Sequence, residues 1–318
     1  MMSFRRPLLG IFLPVLLLFS MHAKQASAEI NPSVVVTESK PLTLVYALES
    51  ILGFDIRSPL FNRVLCQEGP ELGGSISRRD LCESIRFHGI RALDAIRASL
   101  RGSSNGPNSV RLQAENVLEE ISAQTQELSV LLSTIEKLSG KRASADLKRA
   151  LNQVDKLVVR DLDPLRSKLQ MEAVDRMRVL LTEQRAVHFL ADAAQVLGSQ
   201  WPPIEPIVVA LVSVPGKRGT REPTYAHQAG NVVVVEILQD DDLSHRSSVV
   251  IHEALHVLWS HRSEAQKKEW DRLCRESSDP RAHLACVLLK EGIPTALGNG
   301  LYRWRATGKL PSDEWYAD

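Results

Sequence analysis

Val249-Val-Ile-His-Glu-Ala-Leu-His-Val-Leu-Trp259 holds three ionisable side chains, His252, Glu253 and His256, in an otherwise apolar run. A helix that is apolar all round is a buried helix, and buried imidazoles and carboxylates cost free energy unless they are paired or bind a metal. His252 and His256 are four residues apart, so on a helix they lie about 40° apart and can aim ring nitrogens at one point. That donor geometry suits a zinc ion. Glu253 falls on the adjoining face, where a carboxylate reaches a metal-bound water without being a ligand, as a general base must. With ordinary His and Glu frequencies the five-residue pattern arises by chance on the order of 1 in 100 times in a chain of this length.

Upstream, the apolar run 207–214 has strand length, 215–223 is a basic loop containing glycine, and Asn231-Val-Val-Val-Val-Glu-Ile-Leu238 reads as a second strand. Asp240-Asp-Asp-Leu-Ser244 separates that strand from the motif helix. The expected architecture is α+β, with a small domain of short β-sheet and two metal-bearing helices over 200–318. Its boundary lies at Trp201-Pro-Pro203, where the sequence changes character.

Residues 29–199 read as a mostly helical region of antiparallel helices. Ser77-Arg-Arg-Asp80 resembles a capping box for a helix with Leu81, Ile85, Leu93, Ile96 and Leu100 at helical spacing. After a break at 102–109, a second helix is expected to about Leu138, with Ala114, Ile121, Leu128 and Ile135 in a heptad-like seam. Gly140 ends it, a third runs from about Ser144 to Val159, and Asp163-Pro164 caps a fourth running to Leu197. Val34-Val-Val36 and Leu42-Thr-Leu-Val-Tyr46 stand as strands or buried turns. Such a helical array is a packing or protein-partner surface rather than a catalytic one.

His252, Glu253 and His256 are followed, 35 residues after His256, by Glu291 within Leu288-Leu-Lys-Glu-Gly-Ile-Pro-Thr-Ala-Leu-Gly298. Together they resemble the gluzincin branch of the zincin metallopeptidases, over roughly residues 207–302. The resemblance implies that His252, His256 and Glu291 hold one Zn2+ per chain, that Glu253 is the general base, and that the substrate is a peptide or protein amide. It also implies that the strand 232–237 is the edge strand beside the cleft, offering backbone pairing to an extended peptide.

The metzincin pattern does not fit, because His261 follows His256 by only five residues with no glycine between. Two features depart from the gluzincin pattern. Pro294, three residues after Glu291, must kink or end that helix. Thr295 stands where some gluzincins place an aspartate that orients a ligand histidine. Tyr302, His227 and His283 are candidate donors to a developing oxyanion. The basic stretch 217–221 reads as a solvated hairpin tip or as a selector of acidic substrates.

Arg5 and Arg6, the apolar run 8–19 and Ala26-Ser-Ala28 read as a secretory signal over 1–28, cleaved after Ala28. Without Arg5, Arg6 and Lys24, 36 basic groups face 38 acidic ones, a balance that argues against a nucleic-acid partner. The alternative to a cleaved signal is an uncleaved membrane anchor, which the run, well short of the ~20 residues that span a bilayer, disfavours, so no membrane association is expected after cleavage. Export to the periplasm or outside the cell makes the even count of four cysteines a disulfide framework, favouring Cys66 with Cys82 and Cys274 with Cys286. Two other readings remain in play: an inactive zincin-like protein, and a helical periplasmic interaction protein with an accidental motif. A zinc-dependent cell-wall amidase is a third.

Overall fold

Ile207-Val-Val-Ala-Leu-Val-Ser213 and Val232-Val-Val-Val-Glu-Ile237 are almost continuous branched apolar runs, the composition of strands covered on both faces. They become the middle of a mixed sheet. Its strands are β1 (Val34–Thr37), β2 (Ile207–Ser213), β3 (Ala226–Ala229) and β4 (Val232–Ile237), side by side in the order β1, β2, β4, β3. β1, β2 and β4 are parallel, and β3 returns antiparallel to β4 through a tight turn at Gly230, whose φ of 57° suits a residue without a Cβ. This computed structural model describes residues 33–54, 59–68, 77–100, 107–215, 225–277, 279 and 281–309, without the side chains of 107–113 and 161–169. The expected signal at 1–28 and the basic stretch 217–221 lie outside the described residues.

The expectation of β4 as the edge strand is corrected. β4 lies between β2 and β3, and all six of its residues are buried. The terminal strand on that side is β3, which sequence reading left unassigned because Ala226-His-Gln-Ala229 lacks β-branched residues.

Side-chain alternation divides the sheet between two layers. Ala210, Val212, Val232 and Val234 join a core built with the N-terminal helices. Val209, Leu211, Val233 and Val235, also buried, face the opposite way, where the motif helix α6 (Leu243–Ser260) packs.

In the first layer, α1 (Lys40–Leu52) is buried at every position from Pro41 to Ile51. Leu42–Tyr46 is therefore helix, not strand or turn. The start and stop signals are local: Ser39 Oγ accepts from the Leu42 amide, Pro41 occupies the first turn, and Gly53 closes the helix at φ 76°. A helix buried all round shows no periodicity, which hid it. A short helical turn, Leu60–Asn62, continues as the π-helical Arg63–Glu68.

α2 (Arg78–Leu100) starts as expected, with Ser77 Oγ accepting from the Asp80 amide at 3.1 Å. α3 (Pro107–Gln124) stops at 124, so the single helix expected to Leu138 is two, interrupted before α4 (Leu128–Glu183). Within α4, Gly140 adopts φ 89° and ψ 166°, a region open essentially to glycine alone. There the chain doubles back. Ser144 Oγ donates to the Leu132 carbonyl at 2.9 Å, whereas twelve residues of straight helix span about 18 Å. The new helix expected at Pro164 does not begin there; α4 runs on to Glu183, and Arg185 (φ 53°) turns the chain into α5 (Ala186–Leu197).

The fold is thus α+β, mostly helical around one small sheet. The sheet takes β1 from one side of Trp201-Pro-Pro203 and the other strands from beyond it, and residues Ser33–Asp318 form one compact unit across that expected boundary. α4 also shields the outer edge of β1, where the Arg178 guanidinium donates twice to the Val36 carbonyl. Cys66–Cys82 and Cys274–Cys286 are both disulfides, which fits a compartment outside the reducing cytoplasm. No described helix is long and apolar enough to cross a membrane.

Candidate metal centre

Three helical pieces converge on one point. α6 begins at Asp242, whose carboxylate accepts from the Ser244 and His245 amides, and continues through the apolar run without interruption. Val250, Ile251, Ala254, Leu255, Val257 and Leu258 are all buried, which fixes the helix rotation and so the direction of His252, Glu253 and His256. Beyond it lie α7 (Glu264–Glu276), opened by a Ser263/Gln266 capping box, and α8 (Ala282–Pro294). α8 ends at Pro294, and the chain continues as a π-helical segment, Thr295–Tyr302, and then α9 (Arg303–Thr307).

Nε2 of His252 and Nε2 of His256 are 3.2 Å apart. Glu291 Oε1 is 3.1 Å from the first, and Oε2 is 3.2 Å from the second. Zinc held tetrahedrally at about 2.0–2.1 Å from each donor separates neighbouring donors by about 3.3 Å. The triad already stands at that spacing, so one cation fits among its donors without rearrangement. Helix α8 brings the carboxylate from outside: Glu291 is half exposed, while His252 is buried and His256 is partly so.

The electrostatics follow from this cluster. Hydrogen bonds from His252 and His256 hold the Glu291 carboxyl well below the usual carboxylate range. Burial alone lowers His256, but its bond to Glu291 and the charges of Glu253 and Glu291 outweigh that and raise it. Glu253 is no part of the triad. Its Oε1 lies 3.9 Å from His252 Nε2, and burial pushes its carboxyl up despite the pull of the histidines. A carboxylate so placed has its proton affinity moved toward neutrality, the direction a general base requires.

Two supports hold these side chains in place. Cys286 lies five residues before Glu291, hence about 140° around α8, so its disulfide to Cys274 ties the far side of the helix to α7 and leaves the Glu291 side open to α6. Gly298 packs directly on α6. A Cβ there would sit 2.7 Å from the backbone N and Cα of His252, closer than real contacts allow. Gly298→Ala must therefore push the π-helical segment off α6. The expected cost is about 1–3 kcal/mol of stability together with weakened zinc binding, read by denaturant unfolding and chelator competition. A variant that matches the parent in both measures would contradict this close contact.

The residues proposed as oxyanion donors have other bonds. The buried Tyr302 hydroxyl donates to Gln184 Oε1 at 2.9 Å, an acceptor shared with Ser247 Oγ, and burial raises its pKa. His227, on β3, has Nε2 2.8 Å from the buried Glu119 carboxylate and stacks on Tyr46. His283 is exposed in the first turn of α8. Sequence reading missed one residue of the site, Asn299, whose side-chain amide reaches Nδ1 of His252 at 3.4 Å. Thr295 is the residue an unbroken α-helix would offer after Glu291; the wider π turn changes which later residue faces His252.

Comparison with protein-family models, with curated proteins and with solved structures finds no match to this chain.

Proposed function

We propose that this chain is a zinc-dependent metallopeptidase of the gluzincin type, acting on peptide or protein amide bonds outside the cytoplasm. The observation that carries the reading is the convergence of His252 Nε2, His256 Nε2 and the two Glu291 oxygens at 3.1–3.2 Å, with a buried carboxylate beside them. Two nitrogens and a carboxylate are the protein ligands of a catalytic rather than a closed structural zinc site. A zinc ion held there supplies Lewis acidity to a carbonyl oxygen and acidifies a water.

Everything else falls to the chain itself. Glu253 takes the proton from the attacking water and delivers it to the departing amine nitrogen, completing amide hydrolysis. The terminal strand β3 offers the sheet edge on which an extended substrate pairs, and Gln228 of β3 donates to Ser260 Oγ at the end of α6, tying that edge to the ligand helix. The two disulfides and the signal-like leader support action in the periplasm or outside the cell.

The test is cleavage of an unfolded protein substrate by the purified chain. Cleavage should disappear on chelation and return with stoichiometric zinc but not with magnesium. A zinc-loaded chain that cuts neither unfolded protein nor peptidoglycan stem peptides would overturn the enzymatic reading.

A further inference from the structure

We propose that Asn299 is the positioning residue for His252, and that it is an amide because it must serve two tautomers of that ring. The inference rests on the zinc reading of the triad. Asn299 Nδ2 lies 3.4 Å from His252 Nδ1, and Asn299 Oδ1 is buried without a hydrogen-bond partner. In this arrangement the amide N–H donates to the Nδ1 lone pair. The ring proton then sits on Nε2, where it donates to Glu291 Oε1 at 3.1 Å.

A cation on Nε2 requires the other tautomer. The ring stays neutral and its proton sits on Nδ1, pointing at Asn299. Facing an NH2 group, that N–H would meet donor with donor. Turning the amide over about its terminal torsion puts Oδ1 opposite Nδ1–H and gives the orphaned oxygen its bond. One side chain thus supports His252 in both states, with its metal-bound state the better satisfied. Gly298 makes this possible by letting the segment approach the His252 backbone. A carboxylate at 299 would favour the metal-binding tautomer alone, and an aliphatic side chain would support neither.

The measurement is zinc affinity by competition with a chromophoric chelator, with thermal unfolding of the metal-free proteins alongside. Asn299→Leu should lose roughly 10–100-fold in affinity, the usual cost of removing a hydrogen-bond partner behind a ligand histidine. Asn299→Asp should bind at least as tightly as the parent, and the metal-free proteins, each losing the single amide bond to His252 Nδ1, should fall in stability by less than zinc binding weakens in Leu. Asn299→Ala is read in the same way as Leu if the larger side chain does not fold. An apolar variant with parental affinity, or Asp losing as much as Leu, would overturn the positioning role. A parent chain that takes up no zinc would instead overturn the metal reading beneath it.

Discussion

Glu253→Gln is expected to keep zinc stoichiometric and to lower kcat/KM for peptide cleavage by roughly 10²–10⁴, the range supplied by a positioned general base. Glutamine has the same shape, so the packing of α6 is preserved. Its amide cannot accept a proton from water. Glu253 is buried and stands 3.9 Å from His252 Nε2, outside the converging triad, so its loss leaves the ligand set intact. Burial also sets the direction of its pKa, upward from the usual carboxylate value, which strengthens it as a base near neutral pH. Activity retained in this variant, with zinc present, would sink the mechanism.

The second large effect is on the metal. His256→Ala removes one of the three proposed donors. Zinc bound by four protein ligands is worth about 10–16 kcal/mol, so one ligand accounts for about 3–4 kcal/mol, or a loss of affinity on the order of 10²–10³. The fold should survive, because the ring is only partly buried and alanine favours helix, while Leu255, Val257 and Leu258 keep the helix docked. Equal zinc affinity in parent and variant would remove His256 from the site. Release of Glu291 from one imidazole should also raise its carboxyl back toward the ordinary range, because hydrogen bonds from both rings hold it down.

Much of the site was legible because its chemistry is written in local spacing. His252, Glu253 and His256 share one uninterrupted helix, whereas Glu291 was singled out by a resemblance and not by any spacing of its own. The supports behind them were less visible. Asn299 faces His252 only because the chain after Pro294 winds as a π turn, and Gly298 matters only because another helix lies against it.

The same division holds for the fold. Ser77 and the strands β2 and β4 announce themselves through caps and branched runs. α1 does not, since a helix buried on every side has no polar face to mark its period. β3 is a strand by virtue of its pairing with β4, not of its own residues, and that pairing moved the sheet edge from 232–237 to 226–229. The joining of β1 to β2 is invisible locally, because their partners are about 170 residues apart.

Metal content of the purified chain, measured by elemental mass spectrometry after dialysis against buffer with trace zinc, decides whether His252, His256 and Glu291 hold zinc. One zinc per chain is the expected result. Folded protein that stays metal-free and refuses added zinc would contradict the account, leaving His252, His256 and Glu291 as a hydrogen-bonded cluster.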